Sequence, residues 1–154
     1  MDLEGFDAVI DAFGAWTEET LPQHSTTLAH LLSGTSVRLL VVGGAGSLYV
    51  DPAHTATVSR GKDFPDAFKP LAAAMAKALG ELRERHDVKW TSISPAGDFQ
   101  ADGERAGKYL QGGEELVLND RGESIISYAD YAIAMVDEIE HGDHIQERIS
   151  VVRA

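Results

Sequence analysis

Two rhythms of apolar residues alternate along this chain. In "GFDAVIDAFG", residues 5 to 14, Phe6, Ala8, Val9 and Ile10 crowd together ahead of Ala12, Phe13 and Gly14. That pattern predicts a short buried strand at 6–12 closed by a small-residue turn. The rhythm then changes: "TEETLPQHSTTLAHLLSG" spaces Leu21, Leu28, Leu31 and Leu32 as a helix does, with Thr17 placed to cap it and Gly34 to stop it. A second strand follows at 37–43, where Val37, Leu39, Leu40, Val41 and Val42 run into Gly43, Gly44, Ala45, Gly46 and Ser47. Residues 51–62 are polar, hold Pro52 and Gly61, and predict an irregular loop.

Phe68, Leu71, Ala72, Met75, Leu79 and Leu82 fall at intervals of three and four, which lines one face of a long helix ending near Arg85. "DVKWTSISPA" supplies a third strand, ended by Pro95. Glycines then punctuate a loop-rich stretch in which "ELVL" is expected to form a short strand. "SIIS" is extended, and Ser127 with Asp130 three residues on resembles a capping box. Tyr128, Tyr131, Ala132, Met135 and Ile139 are the expected buried face of the last helix, and "RISVV" the closing strand. Strands alternating with helices imply right-handed crossovers and a mostly parallel α/β sheet covered on both faces, within one domain spanning residues 1–154. Continuous rather than alternating apolar runs in the strands fit burial on both faces.

Composition narrows the chemistry. Without cysteine the chain has no disulfide, thiolate metal site or thiol nucleophile. No segment approaches the roughly 18 apolar residues of a membrane helix, and the acidic start lacks the order of a signal peptide, so the expectation is a cytoplasmic protein with no membrane partner. A formal net charge of -12 with no basic patch argues against nucleic acid.

The glycine cluster after the second strand raises the question of a nucleotide. A dinucleotide fingerprint needs G-x-G-x-x-G, but after Gly44 and Gly46 position 49 is Tyr; the phosphate loop of nucleotide triphosphatases needs a Lys-Ser or Lys-Thr pair that does not follow. A polar loop rather than a helix comes next, so no helix N-terminus waits for a phosphate. The cluster reads as a pocket wall, with a purely structural tight turn as the alternative. "HGDH", with His141 and His144, has metal-like spacing but too few placed ligands, so no metal is expected. Asp137, Glu138 and Glu140 read as a solvated helix face, and Arg105 and Lys108 in "GERAGKY" as either an anion contact or a surface loop.

Taken in order, "DAVIDAFG", "RLLVVGGAGSLYV", "FPDAFKPLA", "WTSISPAGDF", "GERAGKY" and "SIISYADYAIAMVDEIE" resemble the later two-thirds of the NAD(P)H-binding, atypical short-chain dehydrogenase/reductase family called NADH-flavin reductase-like, related to NmrA-like proteins. The resemblance implies a Rossmann-like sheet, NAD or NADP as cofactor, and a small-molecule acceptor such as a flavin, carbonyl or quinone. It also implies positions. The turn at Ala12, Phe13 and Gly14 would lie beside the adenosine and ribose, Gly44, Ala45 and Gly46 near the nicotinamide, and Pro95 at its border. Ser47 falls near the place where related dehydrogenases keep a catalytic serine; the alternative is a hydroxyl that closes the turn.

Two departures qualify that picture. The family's opening strand and glycine-rich GATG-x-x-G turn, which bind the pyrophosphate, have no counterpart here, and the Tyr-x-x-x-Lys pair of short-chain dehydrogenases is missing: Tyr49 is followed four residues on by Ala53, and Lys69 is preceded at that spacing by Pro65. The chain is therefore expected either to be a shortened form of a longer product or to self-associate through the strand at 6–12, whose neighbours in the full fold are not present. A non-catalytic remnant serving in regulation or protein interaction is the alternative function. A sugar-nucleotide epimerase is a third, disfavoured by the missing Tyr/Lys pair.

Overall fold

The computed structural model describes residues 2–14, 17 and 19–154. Among the described residues seven strands and three α-helices form: β1 (Ala8–Asp11), α1 (Thr20–Leu32), β2 (Arg38–Val42), α2 (Lys69–Arg83), β3 (Lys89–Ser94), β4 (Asp98–Gln100), β5 (Tyr109–Gly112), β6 (Ile125–Ser127), α3 (Tyr128–His141) and β7 (Glu147–Arg153). The main sheet runs β1-β2-β3-β7-β5, and β4 pairs with β6 in a separate two-stranded sheet. Neighbours β1, β2, β3 and β7 are parallel, while β5 joins β7 antiparallel. The expected α/β, mostly parallel, Rossmann-like sheet is present.

Both faces of the sheet are covered. Leu39, Trp90, Val37 and Val88 pack against Ala29 and Leu32 of α1 and Leu79 and Leu82 of α2. On the other face Leu40, Ile93, Ile149 and Val151 meet Tyr131, Ala134 and Met135 of α3. Alternate strand residues thus serve opposite cores, which is why the strands read as continuous apolar runs. No helix among the described residues is long and apolar enough to cross a membrane.

Several local expectations change. Thr17 is not the residue that begins α1, although its hydroxyl accepts from the Thr20 N–H at 3.2 Å; Leu31 is exposed and Ala29 takes its place in the core. Phe68 ends a single 3-10 turn at Asp66–Phe68 rather than joining α2, and is exposed. "ELVL" forms no strand: Glu115 makes one isolated bridge to Tyr49, and Leu118 is exposed. The segment instead packs closely on the end of β5, where a Cβ added at Gly112 would come within 2.2 Å of Val117 Cγ2.

The α3 face also shifts. Tyr128 and Ala132 are exposed, and Ala134 and Glu138 are buried instead. Only half of a capping box forms: Ser127 Oγ accepts from the Asp130 N–H at 3.0 Å, but the Asp130 carboxylate turns outward from the helix to accept from Ala106 and Gly107 N–H. That fully buried carboxylate anchors the loop carrying Arg105 and Lys108, which are themselves exposed.

The acidic run on α3 is not uniformly solvated. Glu138 is buried and holds Arg38 at 2.9 Å and His144 at 2.7 Å; Asp137 accepts from the Tyr109 hydroxyl at 2.8 Å. Burial opposes the Glu138 charge, but these cationic and hydrogen-bonding partners outweigh it and hold the carboxyl below its ordinary range. His144 is therefore a structural partner of Glu138, whereas His141 faces solvent.

Candidate functional site

Parallel strands that feed helices leave their carboxyl ends along one rim of the sheet, and a crevice forms there. The turns leaving β1, β2 and β3 meet in it. One cavity of about 450 Å3 is walled by Gly44, Ala45, Gly46, Ser47 and Pro95, with Met75 and Leu71 from α2. A second, about 410 Å3, is walled by Ala12, Phe13 and Gly14. The two share Gly43, Leu71, Met75, Phe99 and Tyr128, so they are two lobes of one crevice. Ala12, Phe13, Gly14, Gly44, Ala45, Gly46, Ser47 and Pro95 all lie on its walls.

The glycines of the second turn are explained by close approach. None of Gly43, Gly44 and Gly46 has positive φ. An added Cβ at Gly46 would sit 2.9 Å from Ala72 Cβ, and at Gly44 2.6 Å from Met75 Sδ, so the turn is pressed against the start of α2. The polar loop that follows folds back on it through Ser59 N–H to Gly46 carbonyl, 2.9 Å, and Val58 N–H to Leu48 carbonyl, 3.0 Å. Phe13 is fixed differently. Its ring stacks on His24 at 4.1 Å between centroids, and the buried Asp11 carboxylate bonds both His24 Nε2, at 3.0 Å, and the Phe13 N–H, at 3.1 Å.

Sequence reasoning missed the floor of the crevice. Phe99 packs against Tyr128 at 4.3 Å and Tyr131 at 4.8 Å, in tilted geometry. Tyr131 donates to the Ile93 carbonyl at 2.6 Å, and burial pushes its phenol far above the usual range, so it stays protonated and structural. Tyr128, assigned from periodicity to the core, opens into the crevice instead because it is the first residue of α3. Phe99 carried no signal, being one aromatic in a glycine-rich stretch.

Electrostatically the crevice is nearly neutral. Its described walls hold no lysine or arginine, and Asp98 is their one charged residue. Ser47, on the wall, accepts from Arg148 Nη1 at 3.0 Å. Such a surface suits flat, uncharged rings; it offers nothing to neutralise a diphosphate.

No family model matches the chain. It is 42% identical over 154 residues to YwnB of Bacillus subtilis (strain 168), a protein of uncharacterised function, spanning 98% of this chain and 72% of that one. The crystal structure of SP1627 from Streptococcus pneumoniae TIGR4, provisionally named an NADH-flavin reductase, superposes with a TM-score of 0.92 at 54% identity, covering 99% of this chain and 74% of that one. At 18% identity and a TM-score of 0.64, a short-chain dehydrogenase/reductase from Veillonella parvula DSM 2008, solved in complex with NADP, shares the fold over 98% of this chain and 64% of its own. On its sheet order, its strand-end turns and these relatives, the chain belongs to the NADH-flavin reductase-like family of atypical short-chain dehydrogenases/reductases.

Proposed function

We propose that this chain provides the nicotinamide-side half of the pocket of an NAD(P)H-dependent oxidoreductase that reduces a flavin or a small carbonyl or quinone-type acceptor. The observation that carries the reading is the convergence of the turns at Ala12–Gly14, Gly44–Ser47 and Pro95 on one aromatic-floored crevice. The residues present fit the ring-and-ribose end of a dinucleotide: Phe13 offers a braced aromatic face, Gly44 and Gly46 bring the backbone close, and Pro95 and Met75 shape an apolar slot. Among the described residues the walls hold no cation for the diphosphate.

Held there, a reduced nicotinamide would supply the hydride, and the proton that completes reduction of the acceptor would come from solvent. The chain's own work is to hold two flat rings face to face and to keep water from between them. That task needs no Tyr/Lys proton relay. Calorimetric titration with NADPH and with NADH tests the reading. Micromolar binding, about -8 kcal/mol, is the expected result, and no heat at millimolar nucleotide overturns it. The second reading, a regulatory or interaction domain that holds no dinucleotide, draws on the lack of a cation among the described wall residues and predicts that silent titration.

A further inference from the structure

Four aromatic rings gather in the second lobe of the crevice. Phe13 follows β1, Phe99 stands on β4, and Tyr128 and Tyr131 lie one turn apart at the start of α3; all four are on its walls. Their exposure differs. Tyr131 is buried and gives its hydroxyl to the Ile93 carbonyl, whereas Tyr128 is 51% and Phe13 42% exposed. Phe99 and Tyr128 wall both lobes, and their rings pack together at 4.3 Å. Large rings left half exposed within a concavity are surface for a ligand to cover.

The charge around these rings is negative. Among the described residues the walls of both lobes hold no lysine or arginine, and Asp98 is on them. A second carboxylate, that of Asp11, is buried beside Phe13 and accepts its N–H at 3.1 Å. Arg148, which reaches the wall at Ser47, is matched by Glu114 at 2.7 Å. The face of an aromatic ring carries negative potential from its quadrupole and attracts a cation within about 6 Å of the ring centre. On these walls no basic side chain competes for those faces. A flat ring whose positive charge is spread over several atoms is therefore held twice, by stacking and by charge.

We propose that the Phe99–Tyr128 floor, together with Phe13, makes the crevice select the cationic over the neutral form of a nicotinamide ring. The inference deepens the oxidoreductase reading and rests on it for its use in a reaction. Hydride transfer carries one hydrogen and two electrons from the ring to the acceptor, which adds a proton from solvent, and leaves the formerly neutral ring as a pyridinium cation. Positive charge grows on the ring as the reaction proceeds. An attraction that grows with it lowers the barrier instead of only tightening binding.

The test compares two probes of nearly the same shape, neutral nicotinamide and the 1-methylnicotinamide cation. Each is titrated into the 15N-labelled chain and followed at the Gly43, Gly44, Phe99 and Tyr128 amides. The cation should bind about fivefold or more tightly, the effect of one desolvated cation–π contact. Tyr128→Leu should bring the two affinities within about twofold of each other, and Tyr128→Phe, which keeps the ring, should preserve the difference. Phe13→Leu, at the other half-exposed ring, should lower the ratio too and serves if thermal unfolding shows that Tyr128→Leu does not fold. The net charge of -12 draws any cation at long range, so the titrations are repeated at about 0.5 M salt, where that attraction is screened and the preference should persist. Equal affinity for the two probes, no binding of the cation, a preference unchanged in both leucine variants, or one abolished by salt would each overturn the proposal. Selective binding of the cation beside silent NADPH and NADH calorimetry removes the redox reading and leaves the ring preference standing. Micromolar NADPH binding with equal probe affinities does the reverse.

Discussion

At the scale of single residues, the crevice separates positions that serve folding from those that serve binding. Gly44→Ala is informative because the added methyl meets Met75 Sδ, the far end of a flexible side chain, rather than backbone. Met75 should give way with a stability loss within about 1 kcal/mol, but it gives way into the crevice. The expected outcome is a nearly unchanged melting temperature with NADPH or quinone affinity reduced about tenfold or more by calorimetry. Gly112→Ala is its opposite. The methyl would overlap Val117 Cγ2 at 2.2 Å and Ser150 Oγ at 2.8 Å, a short β-branched side chain and a buried strand residue. A destabilisation of about 2 kcal/mol or more in chemical denaturation is expected there.

At the scale of elements, charge ties α3 to the sheet. The Glu138 carboxyl is held below its ordinary range, so it binds fewer protons folded than unfolded. Its contribution is therefore complete above about pH 5 and is lost as pH falls through the ordinary carboxylate range to the depressed folded value. Glu138→Gln should cost about 3 kcal/mol near neutrality, since Arg38 keeps its charge while losing its anionic partner, and the gap between the two proteins should narrow as urea titrations move to acid pH. The cap at the other end of α3 is smaller: Ser127→Ala removes the acceptor for the Asp130 N–H and should cost about 1 kcal/mol by the same measurement. The helix was legible from its period. Its buried charge was not, because Arg38 and Glu138 lie one hundred positions apart and an acidic residue among acidic neighbours looks solvated.

At the scale of the whole molecule, β1 ends the sheet and pairs only with β2 among the described residues. Ile10 is 50% exposed on it, and Phe6, two residues before it, is 63% exposed. An edge strand with apolar side chains and unpaired backbone groups invites another strand. Light scattering should show self-association rising with concentration, and Ile10→Lys should suppress it by placing a charge on the joining face. A scattering mass that stays monomeric at every concentration, with β1 amides exchanging as slowly as those of β3, would show that this edge needs no partner. The crevice belongs to this scale too. Three turns drawn from residues 12 to 95 become neighbours only because β1, β2 and β3 are parallel and adjacent.

The amino-acid order by itself determined the alternation of strands and helices, the parallel sheet, and the turns after Asp11, Val42 and Ser94. Each of these is written in local apolar spacing and small residues, which act over a few positions. Tertiary structure alone decided that Phe99 and Tyr128 floor the crevice, that the segment after Gly112 packs on the end of β5 rather than extending the sheet, and that Arg148 reaches Ser47. Those contacts join residues that are distant in the chain, where no period links them. Steric fit and the need to satisfy a buried charge select them only once the sheet has brought the partners together.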